Sequence, residues 1–271
     1  MAAFAPAYTI PAGRAIRLRY GRPWAGQMAG MSLESVNWVR LLAGFVFLYA
    51  VLQGAATALN STLGEAGVIV GALVLLVALA VRSILFSQSP RASWHKLGLD
   101  KPNLRGLLAA FAISAVMIGG AATYFAFVGY DSIRPNAPWL ALGIFAQAGI
   151  AEEVVFRGFL YGHIRRRHRF WRSAALSAAP FALVHLTLFA TMDWKIAFAS
   201  TVLSVWLSFP LARLYDLGGG TIWAPAIAHA VIQGVPKLMI ADRYFPFFWI
   251  AAVMALMSLV LLIRPSGDSR S

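Results

Sequence analysis

Long apolar runs constrain this chain more than any other feature of its sequence. Stretches of about 20 mostly apolar residues, the length an α-helix needs to cross a bilayer core, recur from residue 41 onwards. Lipid offers the backbone no hydrogen-bond partners, so such spans must be helices. The sequence therefore predicts an all-α polytopic membrane helix bundle of about eight transmembrane helices, near residues 41–59, 66–86, 106–129, 138–162, 173–191, 194–212, 221–240 and 245–263.

The charge of the chain is low in amount and uneven in distribution. Only 12% of residues are charged, about half the share of a soluble protein, yet the net charge is +13. With eight spans, eighteen Lys and Arg residues fall on the side of the N-terminus and four on the other side. The positive-inside rule then predicts that both termini are cytoplasmic. Contact with anionic lipid headgroups accounts for the basic excess, so we expect the bilayer, and no nucleic acid, as partner.

The domain organisation predicted from these patterns is simple. A basic cytoplasmic tail covers residues 1–37, a membrane domain 38–264 and a C-terminal tail 265–271. The first 37 residues lack the pattern of a removable signal peptide. The chain has no cysteine, which excludes disulfides, thiolate nucleophiles and zinc–thiolate sites.

Few ionisable side chains are predicted to lie at membrane depth. They are Glu152, Glu153 and Arg157 on the fourth span, His185 on the fifth and His229 on the seventh. Helix rise puts Glu152, His185 and His229 about 20, 18 and 14 Å from the predicted cytoplasmic edge, so they can meet in one layer. Ionisable groups at that depth are costly, which makes the layer a candidate functional site.

Local spacing assigns different surroundings to the two glutamates. Glu153 and Arg157 are four residues apart on one helix face and can pair. Glu152 is rotated from Glu153 by about 100° and can face another part of the bundle. The preceding small residues allow close helix packing, and Pro180 and Pro225 are expected to kink their helices before the histidines.

This layer suits hydrolysis of a peptide bond inside the membrane. A carboxylate and an imidazole that share a water can deprotonate it and pass the proton to a leaving amine. A second imidazole and the amide of Gln233, one turn after His229, could hold the oxyanion. The chain shows no Gly-x-Ser-x-Gly elbow and no His-Glu-x-x-His zinc motif.

Three motifs on these spans resemble those of the CPBP intramembrane proteases, the CAAX protease and bacteriocin-processing (Abi-like) family. "EEVVFR" (152–157), "FALVH" (181–185) and "HAVIQ" (229–233) follow the family pattern Glu-Glu-x-x-x-Arg, Phe-x-x-x-His and His-x-x-x-Asn in order. The likeness covers about residues 138–235, the expected catalytic core. The last motif position departs from the pattern, because Gln233 stands where the family usually has Asn.

The resemblance implies a role for each residue. Glu152 and His185 would activate the water, Glu153 and Arg157 would brace the site, and His229 with Gln233 would stabilise the oxyanion. Family members have been described as metalloproteases or as glutamate-dependent hydrolases. We favour a metal-free site, with zinc on Glu152, His185 and His229 as the other possibility.

The expected function is an intramembrane endopeptidase that acts on a membrane-bound or lipid-anchored peptide or protein. The Ala- and Arg-rich composition favours a bacterial cytoplasmic (inner) membrane. A proton-coupled transporter would use similar clusters, although no inverted repeat is evident. A non-catalytic scaffold or immunity partner is the third possibility. The sequence determines neither the substrate nor the oligomeric state.

Overall fold

The computed structural model describes residues 37–59, 64–128 and 132–264; the predicted tails lie outside them, apart from Asn37. The described elements are α1 (Trp38–Ala58), α2 (Glu65–Phe86), α3 (Pro90–Lys96), α4 (Leu104–Val128), β1 (Ser132–Ile133), α5 (Ala137–Ile144), two π-helices (Phe145–Ala151 and Val154–Tyr161), α6 (Gly162–Arg165), α7 (Phe170–His185), a 3-10 helix (Leu186–Ala190), α8 (Trp194–Leu217), α9 (Trp223–Leu238), β2 (Met239–Ile240) and α10 (Phe245–Leu261). Helices α5 and α6 and the π-helices between them form one continuous helix, the fourth span (Ala137–Arg165).

Each of the eight predicted spans coincides with a helical segment. In the described part of the chain, six helices are long and apolar enough to cross a membrane. The last two, α9 and α10, are shorter, with 16 and 17 residues. The protein is therefore an all-α, multi-pass integral membrane protein, as predicted.

Small residues bring α2 against the fourth span. A Cβ at Gly67 would lie 2.5 Å from the Gly143 carbonyl oxygen, and one at Gly71 would lie 2.7 Å from that of Ala146. These distances leave no room for a side chain on α2, so the two backbones touch directly. The close approach predicted for the small residues before Glu152 is confirmed on this face.

Two apolar clusters form the core. One joins α1, α2, the fourth span and α7, and the other joins α4, α8, α9 and α10. The fourth span also packs on α9, where a Cβ at Gly149 would come within 3.0 Å of the Ala226 carbonyl oxygen. A two-residue antiparallel pairing of β1 with β2 ties the start of the fourth span to the end of α9. Helix α8 contributes residues to both clusters, and the fourth span, which belongs to the first, reaches the second through α9.

The wide turns of the fourth span are a feature that the apolar pattern did not predict. The N–H of Glu152 donates to the Gln147 carbonyl, and that of Gly162 donates to the Arg157 carbonyl, both five residues back. Such π-turns are rare and frequently found at functional sites. A second difference concerns Pro225. It lies in the first turn of α9, where a missing N–H costs no helical hydrogen bond, so it does not interrupt the helix before His229.

Candidate active site

The two glutamates occupy a short α-helical turn between the π-helices of the fourth span. Their burial differs sharply, as the side chain of Glu153 is fully buried and that of Glu152 is 23% exposed. Adjacent residues on a helix point about 100° apart, which explains how one carboxylate faces packed protein while its neighbour faces open space. The two carboxylates therefore have different surroundings in the structure, as the sequence predicted.

Glu153 forms a buried three-residue chain of polar contacts. Its Oε1 accepts a hydrogen bond from Arg157 Nη1 at 3.0 Å, as the four-residue spacing predicted. The same oxygen lies 2.7 Å from His229 Nδ1, a contact that the spacing could not reveal. The Arg157 guanidinium also stacks over the Phe181 ring, 4.9 Å from its centroid. The Glu153 carboxylate therefore joins the fourth span to α9, and the Arg157 guanidinium extends the contacts to α7.

His229 lies between the two glutamates. Because Glu153 accepts through Oε1, Nδ1 of His229 carries a proton and its ring orientation is fixed. The other ring nitrogen, Nε2, lies 3.8 Å from Oε2 of Glu152. The imidazole is almost fully buried, and each of its two ring nitrogens faces one of the two carboxylates.

His185 is held by its own helix. Its Nδ1 lies 2.7 Å from the carbonyl oxygen of Phe181, which can only accept, so Nδ1 is the protonated nitrogen and Nε2 keeps its lone pair. The Phe181 ring meets the imidazole edge-on, with centroids 4.6 Å apart. His185 therefore presents a basic nitrogen in a fixed orientation.

Glu152 and His185 line the same small cavity. Its volume is about 100 Å³, enough for a few waters at about 30 Å³ each. The remaining lining residues come from α1, the fourth span, the end of α7 and the 3-10 helix after it: Tyr49, Leu52, Gln53, Phe156, Val184, Thr187 and Leu188. A water molecule in this cavity would thus contact one carboxylate and one imidazole.

Tyr49 and Gln53 of α1 are site residues that the motifs did not identify. Gln53 donates to the Tyr49 hydroxyl at 2.8 Å, and both line the cavity. The available signal was their four-residue spacing, with an amide and a phenol on one face of an otherwise apolar span. They add neutral hydrogen-bonding groups opposite Glu152.

Gln233 is not brought into the cluster. It lies one turn beyond His229 on α9 and is partly exposed, and its amide forms no hydrogen bond within the described residues. It is not among the residues that line the cavity. Of the six predicted site residues, the structure groups Glu152, Glu153, Arg157, His185 and His229 and leaves Gln233 outside.

The described residues do not provide a metal site. No group of three or more His, Cys, Asp or Glu side chains in residues 37–59, 64–128 and 132–264 is arranged to hold an ion. Glu152, His185 and His229 therefore do not fit the zinc ligand set that the sequence left open, since a zinc site needs three such ligands around one point. We derive no step that depends on a metal.

Comparison with known proteins agrees with the motifs. Residues 134–235 match the family model of Rce1-like type II CAAX prenyl endopeptidases, a stretch that contains all three motifs and both histidines. No curated protein and no solved structure matches the chain. The match supports an intramembrane protease kind of function and confirms the resemblance seen in the sequence. Residues 134–235 of this multi-pass membrane protein are therefore similar to the Rce1-like CAAX prenyl endopeptidases.

Proposed function

We propose that the protein is an intramembrane endopeptidase in which Glu152 and His185 activate a water molecule. The observation that supports this proposal is their shared cavity, which gives a carboxylate and a free imidazole nitrogen access to the same water within a bundle of apolar spans. Carboxylates and imidazoles in such positions act as general bases.

The proposed reaction is hydrolysis of one peptide bond. Glu152 takes a proton from the water as the water oxygen attacks the scissile carbonyl carbon. His185 Nε2 orients the water. The tetrahedral intermediate collapses as the C–N bond breaks, and the proton held at Glu152 passes to the leaving nitrogen. The products are a new carboxylate and a new amine, and the two residues return to their starting state.

Glu153, Arg157 and His229 have supporting roles in this proposal. Glu153 is a positioning residue, because it fixes the His229 ring through Nδ1 and is itself held by Arg157. His229 would stabilise the oxyanion through Nε2, which requires a proton on both ring nitrogens. The carboxylates of Glu152 and Glu153 flank the ring and supply the counter-charge for that imidazolium. Gln233 would join only when bound substrate draws its amide inward.

The substrate class follows from the position of the site. Glu152 lies on an apolar span long enough to cross a membrane, so we propose a membrane-bound or lipid-anchored peptide or protein as the substrate. The positive-inside pattern orients the chain with both termini in the cytoplasm. The composition is consistent with a bacterial inner membrane.

The test compares membrane-protein termini in cells that express wild type, Glu152→Gln or His185→Ala. Mass spectrometry should find peptide ends that only wild type generates, with all three proteins present at equal levels in the membrane. Leu183→Ala is a matched control on α7, because Leu183 is 66% exposed and lies outside the cavity. Identical termini in every strain would refute proteolysis and favour a transporter, which flux assays in proteoliposomes would then detect.

A further inference from the structure

A second polar cluster lies at the C-terminal end of the fourth span, whereas the glutamates lie near its middle. It consists of Arg82 near the end of α2, Lys96 at the end of α3, and His163, Arg166 and Arg167 at the end of the fourth span, and we refer to it as the basic cluster. From their positions at span ends and in loops, these residues would be expected to be solvated and to anchor the topology. The structure instead buries two of them, since Arg82 is 1% and His163 4% exposed.

The buried part of the basic cluster has hydrogen-bond donors without acceptors. Arg82 Nη1 and Arg166 Nη2 are buried and have no hydrogen-bond partner. His163 Nε2 contacts Arg167 Nη1 at 3.1 Å and must accept there, because a guanidinium only donates. The proton therefore sits on His163 Nδ1, which is also buried and unpartnered. All three orphan atoms are donors, as an anion-binding site requires.

Four members of the basic cluster have no carboxylate partner among the described residues. In residues 37–59, 64–128 and 132–264, no carboxylate pairs with Arg82, Lys96, His163 or Arg166. Asp216, the acid on the neighbouring α8, is engaged by Arg165 and Tyr161 instead. Burial, followed by repulsion from Arg166, Arg82 and Arg167, lowers the pKa of Lys96. Burial also lowers the pKa of Arg166.

Rigid packing holds the basic cluster in place. The Arg82 guanidinium lies over the Phe86 ring at 4.9 Å, and the His163 ring lies 4.9 Å from the same ring. Arg82 Nε donates to Gln88 at 3.3 Å, which orients the guanidinium further. Lys96 and Arg166 are half-buried, so the basic cluster extends from buried positions to the protein surface. A buried cation held this firmly without a counter-ion is costly unless an anion joins it.

We propose that the basic cluster is a binding site for a phosphate group. Arginine guanidinium groups match phosphate oxygens in geometry, and several cations around one point suit an anion with three or four oxygens better than a single carboxylate. This end of the bundle is the side predicted to be cytoplasmic, where both lipid headgroups and soluble phosphates are present. The proposal is independent of the peptidase activity, because no residue of the cavity takes part.

The test measures thermal unfolding of the full-length protein in dodecyl maltoside, a detergent without phosphate. One arm adds sodium phosphate against sodium chloride at constant ionic strength, and the other adds phosphatidylglycerol against a glucosyl diacylglycerol that lacks phosphate. Native mass spectrometry counts retained lipid in the second arm. A response to free phosphate identifies a soluble source, and a response to phosphatidylglycerol alone identifies a headgroup.

Variants separate a built site from general surface charge. Arg166→Gln and Lys96→Gln, both at half-buried positions, should weaken the response about tenfold or more, as expected for loss of a bond to a charged group. Arg172→Gln removes one exposed charge from the first turn of α7 as a matched control and should leave the response unchanged.

The effect of Arg82→Met on the unfolding temperature should differ between phosphate-free and phosphate-saturated protein. Without phosphate it should unfold at the same or a higher temperature than wild type, because it removes an uncompensated buried charge. At saturating phosphate it should unfold at a lower temperature than wild type. The proposal is overturned if wild type responds in neither arm, or if Arg172→Gln loses the response as fully as Arg166→Gln.

Discussion

Replacing each of the adjacent glutamates by glutamine should separate stability from catalysis. Glu153→Gln removes the counter-charge of Arg157, whose guanidinium is 3% exposed and 3.0 Å from the carboxylate. Removing one partner of a buried pair costs about 3–5 kcal/mol of unfolding free energy. Glu152→Gln makes the same chemical change at a side chain that faces the cavity, so it should cost about 1 kcal/mol or less.

A double variant tests whether the loss comes from the pair. Glu153→Gln combined with Arg157→Met leaves no charge on either side chain, so its loss should be smaller than the sum of the single losses by about 1–3 kcal/mol. Glutamine at position 153 keeps a carbonyl oxygen that can still accept from His229. The remaining cost should therefore be that of altered packing.

The assay is titration of the purified protein in mixed micelles with sodium dodecyl sulfate, followed by tryptophan fluorescence. The chain has nine tryptophans, so the signal is strong. Glu152→Gln should unfold close to wild type yet fail to generate new peptide ends. Equal losses of stability for the two glutamine variants would refute the assignment of one carboxylate to packing and the other to the cavity.

Further predictions concern packing, acid stability and the last motif. Gly67→Ala should cost about 1–3 kcal/mol because its Cβ would overlap a backbone carbonyl of the fourth span, whereas Gly119→Ala, with nothing within 4 Å, should be neutral or stabilising in the same titration. Burial raises the pKa of Asp242, but hydrogen bonds from two backbone N–H groups and from Tyr124 outweigh it and lower the pKa. The stability that Asp242 contributes is therefore present above its unfolded pKa of about 3.9 and is lost as the pH falls through the lower folded pKa. Asp242→Asn should remove this acid-dependent part of the unfolding profile. Gln233→Ala should lower kcat about 100-fold with an unchanged unfolding profile if the amide serves the oxyanion, and a normal kcat would exclude that role.

The helices and the contact within one helix could be predicted from the sequence, and the contacts between helices could not. Apolar run length located helical segments, six of which are long and apolar enough to cross a membrane, and a four-residue spacing predicted the Glu153–Arg157 pair. The contact of Glu153 with His229 joins residues 76 positions apart, and no local rule connects them. Depth along each span could place both groups in one layer, but it could not say which carboxylate His229 would meet.

Burial of the basic cluster was missed for a related reason. Arg82 and His163 lie at span ends, where long basic side chains usually extend to the headgroups. Here Phe86 and Phe159 cover them from within the bundle, and only the packed structure reveals this.

The wide turns around Glu152 have a consequence for changes in chain length. A π-turn contains one residue more than an α-turn and satisfies the same peptide groups, so deleting one residue from Phe145–Ala151 could be absorbed by a return to α-helix. The residues on both sides of that deletion would keep their orientation, and Glu152 would still face the cavity. A deletion from α5, which has regular α-turns, would instead rotate the residues on one side by about 100° relative to those on the other. Glu152 would then lose its alignment with the rest of the site while all three motifs stayed intact in the sequence. Two chains with identical motifs can therefore differ in activity through a single residue outside them.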